Sequence, residues 1–144
     1  MTFYHRKEWR HFTAKPVAGS RYIGLEGRGG IPKRIKAWEA QNEASAPQNA
    51  RFWLEYFELL DEIHADELSK RIVVELGEGG VTVIDTLNQA APGADENSSA
   101  DMGTILKNAQ RLAHLTQGLV ILIHHVGKDR SRGLRGHSSL IAAL

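Results

Sequence analysis

The sequence predicts an α/β fold, a parallel sheet with helices on both faces. Two observations carry this. Short apolar runs alternate along the chain with stretches of helical period. The runs are also not polar on alternate residues, as strands covered on both faces are not. In sheets of this class ligands sit at the carboxyl ends of the strands. The polar residues at those ends are Glu26, Asp85, His124 and His125.

The elements follow in order. Tyr22–Glu26 reads as a short strand, and Gly27–Gly30 as a turn after it. A helix should follow, because Pro32 suits a first helical turn and Ile31, Ile35 and Trp38 share a face. Asn42–Asn49 is a loop with Pro47, and aromatic-rich Arg51–Tyr56 is a strand. From Asp61 to about Leu76 a helix places Leu68, Ile72, Val73 and Leu76 on one side, ended by Gly77, Gly79 and Gly80. Val81–Asp85 has the look of a buried parallel strand, and Asn88–Asn97 of a polar loop. Ser98 and Asp101 have capping-box spacing, and Met102, Ile105, Leu106, Ala109, Leu112 and Ala113 keep a helical period to about Gln117. Gly118 breaks it. Leu119–His125 is the most apolar strand, 126–137 a Gly-rich basic loop, and Ser138 onward the start of another helix.

Composition narrows the function classes. A chain of 144 residues with 42% apolar and 24% charged residues builds one ordinary globular core. The formal net charge of +1 demands that any nucleic-acid surface be a local patch. Without cysteine there is no disulfide scaffold and no zinc-thiolate site. Met1–Arg10 is basic and aromatic with no apolar run behind it, so it is not a signal peptide. The apolar run Leu119–Ile123 is far too short to cross a bilayer, and a cytoplasmic protein is expected.

Four constellations carry possible chemistry. Asp85 ends an apolar strand, where a carboxylate either holds a hydrated Mg²⁺ beside a nucleotide or merely caps the next turn. Glu26 ends its strand in the same way and either activates a water or is simply solvated. Gly27–Gly30 lies between strand and helix, a place that suits phosphate on backbone N–H groups. It has no Gly-Lys-Ser/Thr after it and reads as a tight turn. His124 and His125 point to opposite faces if the strand continues, so a phosphate sensor fits them better than a metal site. Lys128, Arg132 and Arg135 on the basic loop suit phosphate contacts on nucleotide or DNA, or form a solvated surface loop.

Taken together these segments resemble a known family. They are Tyr22-Ile-Gly-Leu-Glu-Gly-Arg-Gly-Gly30, Val83-Ile-Asp-Thr-Leu-Asn88, Pro92-Gly-Ala-Asp-Glu-Asn-Ser-Ser-Ala-Asp-Met102, His124-His-Val-Gly-Lys128 and Arg132-Gly-Leu-Arg-Gly-His-Ser138. In this order they look like the RepA-like, RecA-fold P-loop ATPases of plasmids and phages, from about Trp9 to Leu144. The resemblance implies a partial RecA-like ATPase core. It implies that Glu26 activates the hydrolytic water and that Asp85 is the Walker B acid, holding magnesium through water. It makes His124 or His125 the sensor of the γ-phosphate. Lys128, Arg132 and Arg135 become contacts to a neighbour's nucleotide or to DNA. The implied cofactors are ATP and Mg²⁺. The implied partners are DNA and a ring, made of like subunits or of a full-length paralogue, with no membrane.

The sequence departs from that family in one large respect. No Gly-x-x-x-x-Gly-Lys-Ser/Thr occurs in it, and Met1–Arg21 leaves no room for the strand, loop and helix that frame one. The expectation is a single incomplete domain over 1–144, lacking the P-loop strand and the C-terminal strands, with poor nucleotide affinity of its own. Two other functions fit the same residues: a non-catalytic module that joins a complete ATPase ring, and a metal-dependent phosphoesterase using Glu26, Asp85 and the two histidines.

Overall fold

The structure is a computed structural model and describes residues 8–9, 12–13 and 17–125 of the 144. Lys128, Arg132, Arg135 and the helix expected from Ser138 lie outside the described residues.

Two short strands, β1 (Glu8–Trp9) and β2 (Phe12–Thr13), pair antiparallel. The body follows as β3 (Ser20–Gly24), α1 (Ile31–Asn42), β4 (Ala50–Trp53), α2 (Glu62–Leu76), β5 (Val81–Asp85), α3 (Leu87–Ala90), α4 (Ser99–Thr116) and β6 (Leu119–Ile123). The four later strands form one all-parallel sheet in the order β4-β3-β5-β6. The α/β class is as the sequence predicts.

Alternation along each strand sorts side chains between the two faces. Ile23 pairs across from Ile84, and Ile84 from Leu122, so these share one face. Against it pack Leu68 and Ile72 of α2 and Met102, Ile105 and Leu112 of α4, making the main core. Full burial of each such side chain contributes about 1.5–3 kcal/mol. The other face carries Tyr22 and Phe52, which together with Ile31, Ile35 and Trp38 of α1 line a hollow of about 340 Å³. On the same face of β6, Leu119 and Ile121 remain 58% and 41% exposed. Among the described residues β6 pairs only with β5.

Glycine lets three strands begin side by side. A Cβ at Gly80 would meet the Gly19 carbonyl oxygen at 2.7 Å, and one at Gly118 the Gly80 carbonyl oxygen at 2.6 Å.

Several boundaries differ from the sequence reading. β3 runs Ser20–Gly24 rather than Tyr22–Glu26, so Glu26 stands beyond the strand, beside the turn. β4 stops at Trp53, short of Tyr56, and β6 stops at Ile123, before both histidines. The loop expected over Asn88–Asn97 begins instead with the last turn of α3, because Leu87 and Ala90 are buried in the core. Asp61 caps α2 by accepting from the Ile63 N–H, and Ser98 caps α4 by accepting from the Asp101 N–H. The Asp101 carboxylate does not complete a reciprocal box; it accepts from the Asp95 N–H. No described helix is long and apolar enough to cross a membrane.

Candidate functional site

β3 and β5 are neighbours, and their register sets Gly24 opposite Asp85. The Leu25 N–H extends the ladder by donating to the Asp85 carbonyl at 2.7 Å. The chain then turns at Gly27, whose φ of 61° is the left-handed conformation glycine adopts at little cost. This holds Glu26 beside the end of β5. The Thr86 hydroxyl lies 3.4 Å from Glu26 Oε2 and donates to it. His125 Nε2, just past β6, lies 3.2 Å from the same oxygen.

Three adjoining strands therefore deliver Glu26, Asp85 and His125 to one edge. The Glu26 and His125 side chains are 53% and 69% exposed, so the pair faces open solvent. His124 is half-buried.

Asp85 has a partner of its own. The Tyr22 hydroxyl donates to its Oδ2. Tyr22 lies two residues before Gly24 on the same face, and its ring must pass over Gly24 to reach Asp85. A Cβ at Gly24 would stand 3.1 Å from Tyr22 Cε1 and only 2.4 Å from Ile31 Cδ1. Burial, and then the negative charge of Asp85 at the other end of the hydrogen bond, push the Tyr22 phenol up to about 12; Arg34 pulls the other way. The peptide between Asp85 and Thr86 is cis.

The sequence reading named Glu26, Asp85 and the two histidines, and the structure brings Glu26, Asp85 and His125 together. It missed Tyr22 and Thr86. Both lay inside the quoted motifs, and the signal was Tyr22 sharing a strand face with the glycine next to Asp85. Gly27–Gly30 is the tight turn expected. The Gly30 N–H donates to the Gly27 carbonyl and the Ile31 N–H to the Arg28 carbonyl, so neither is left for a phosphate.

The model of the family described as the AAA domain matches residues 6–131. The chain belongs to the AAA domain family. That match spans all six strands and the whole of this edge. No curated protein matches the chain. The family is one of P-loop ATPases, which bind ATP with magnesium. The residues at the edge fit half of that pair. Carboxylate oxygens are the hard donors Mg²⁺ takes, usually with water in between, and Asp85 and Glu26 offer them at an open edge. For the triphosphate, the Gly30 and Ile31 amides of the glycine turn are already bonded within it.

Proposed function

We propose that the chain carries the hydrolysis side of an ATP-driven motor domain of the RepA-like replication-helicase type. The observation that carries this is the convergence of Glu26, Asp85 and His125 on one sheet edge, with Glu26 held 3.2 Å from His125 and 3.4 Å from Thr86. Asp85 is short, tied into the strand end and oriented by Tyr22; its role is to hold hydrated magnesium. Glu26 is longer and open to solvent; its role is to orient and deprotonate the attacking water. His125, touching Glu26, senses the γ-phosphate side of the reaction. Lys128, Arg132 and Arg135 are proposed to contact phosphates of DNA or of a neighbouring subunit's nucleotide. DNA and a ring of like subunits, or a full-length paralogue, are the proposed partners. ATP binding by this chain alone is proposed to be weak.

Paramagnetic Mn²⁺, a stand-in for Mg²⁺, tests the site without requiring nucleotide. The amides of Glu26, Asp85 and Thr86 should broaden first in an NMR titration, and Asp85→Ala should remove the effect. Broadening centred elsewhere, or unchanged in Asp85→Ala, contradicts the assignment.

A second reading, a module that joins an ATPase ring without catalysis, is favoured by one observation: among the described residues β6 lies at a sheet edge with Leu119 and Ile121 exposed. The phosphoesterase reading has no such support. Among the described residues no three histidine, aspartate or glutamate side chains are placed to hold a metal ion.

A further inference from the structure

Strand register brings Tyr22 and Asp85 together at the carboxylate edge. Tyr22 stands between Phe52 of β4 and Val83 of β5, and Asp85 lies two residues beyond Val83 on the same face. The Tyr22 ring packs against Phe52, with centroids 6.1 Å apart and planes at 48°. It also crosses Gly24, where a Cβ would come within 3.1 Å of Tyr22 Cε1. The hydroxyl thus reaches Asp85 Oδ2 and donates to it. Among the described residues Asp85 Oδ1 receives no hydrogen bond and no ion pair. The two oxygens of this carboxylate are therefore unequal: the protein engages one and leaves the other.

We propose that Tyr22 makes this edge selective for Mg²⁺ over Ca²⁺, by leaving Asp85 a single oxygen to offer a metal. The proposal rests on the reading of Asp85 as the magnesium acid and adds a role for its partner. Ca²⁺ gathers about six to eight oxygens and can take both oxygens of one carboxylate. Tyr22 denies it that grip, because Oδ2 turns to a metal only by giving up the phenol's hydrogen bond. Mg²⁺ keeps several of its waters and asks less of the carboxylates, so Oδ1 alone serves it. A hydrogen bond to a ligating carboxylate also fixes its orientation. The pair has little room to adjust to a larger ion. Phe52 and Gly24 seat the Tyr22 ring, and the Leu25 N–H holds the Asp85 carbonyl. Tyr22 acts through Asp85 and is a positioning residue.

The test is an NMR titration of the full chain with Mn²⁺, which takes the same oxygen donors, followed by displacement with magnesium or calcium chloride. The midpoints at which the Asp85 and Thr86 amides sharpen again give a Ca²⁺-to-Mg²⁺ affinity ratio. In the wild type Mg²⁺ should displace Mn²⁺ at a lower concentration than Ca²⁺ does. Tyr22→Phe keeps the ring and removes the hydroxyl, and should move the ratio roughly tenfold towards Ca²⁺. General loosening of the site would weaken both ions alike and leave the ratio where it is. A wild type that prefers Ca²⁺ overturns the proposal, and needs no variant to show it. So does the same ratio in wild type and Tyr22→Phe. If Asp85→Ala keeps the Mn²⁺ effect, the magnesium reading itself fails and the proposal with it. If Asp85→Ala abolishes the effect and Tyr22→Phe leaves the ratio unmoved, Tyr22 alone loses its role.

Discussion

Tyr22 joins the hollow to the carboxylate edge, since its ring lines the one and its hydroxyl holds Asp85 at the other. Tyr22→Phe should cost about 1 kcal/mol of stability in urea denaturation, the net worth of one hydrogen bond. The pH dependence follows from the phenol, which folding holds protonated up to about 12. Its contribution is fully present below roughly pH 10, the unfolded value, and is lost as the pH rises through the folded one. Wild type should therefore lose stability over that alkaline window, and Tyr22→Phe should lose less; equal losses would deny Tyr22 the role. Gly24→Ala should be more costly, about 2–3 kcal/mol, because its Cβ would lie 2.4 Å from Ile31 Cδ1. A variant with wild-type thermal stability would contradict that packing. That Glu26, Asp85 and His125 share one sheet edge was legible, because polar residues closing apolar runs come together at the carboxyl ends of parallel strands. Tyr22 and Thr86 were not, because their partners lie 63 and 60 residues away and only the strand order brings them together.

Elements are set by their ends and by what they bury. The two longest helices begin on side-chain caps, Asp61 for α2 and Ser98 for α4. Asp61→Ala or Ser98→Ala should each lower stability by about 1 kcal/mol, measured by thermal denaturation. β3 and α2 are joined by a cluster that sequence patterning does not reveal. Arg21, 1% exposed, pairs with Glu75 at 2.5 Å, and the Trp53 ring lies between the Arg21 and Arg71 guanidiniums, 3.9 and 3.5 Å from them. A buried arginine in an otherwise apolar strand reads as a break in the pattern until its partner is known. Hydrogen bonds from Arg21 and then Arg71 hold the Glu75 carboxyl below its usual range. Its contribution is present above roughly pH 4, the unfolded value, and disappears as the pH falls through the lower folded one. Glu75→Gln should flatten the acid limb of the stability profile; an unchanged limb would show that the cluster is not ionic. α3 escaped the sequence reading for a simpler reason: four residues are too few to show a period, and burial of Leu87 and Ala90 fixes them.

At the scale of the whole molecule, the parallel sheet and the edge that carries the site were legible from alternation, whereas the order β4-β3-β5-β6 was not, since no local pattern encodes which strands adjoin. Among the described residues that order leaves β6 at an edge, with Leu119 58% exposed. Apolar sheet edges pair with other chains, and lysine on an edge strand prevents it. Sedimentation should show concentration-dependent association of the pure chain, reduced by Leu119→Lys; a monomer at every concentration would remove the support for a ring-joining module. The central claim is that this chain holds hydrolytic carboxylates without a phosphate cradle. Titration with a fluorescent ATP analogue and Mg²⁺ tests it most directly. The account predicts no saturation up to about 1 mM nucleotide, equivalent to less than about 4 kcal/mol of affinity. Micromolar binding, weakened by Asp85→Ala, would contradict it and would mean that residues of this chain cradle the triphosphate themselves.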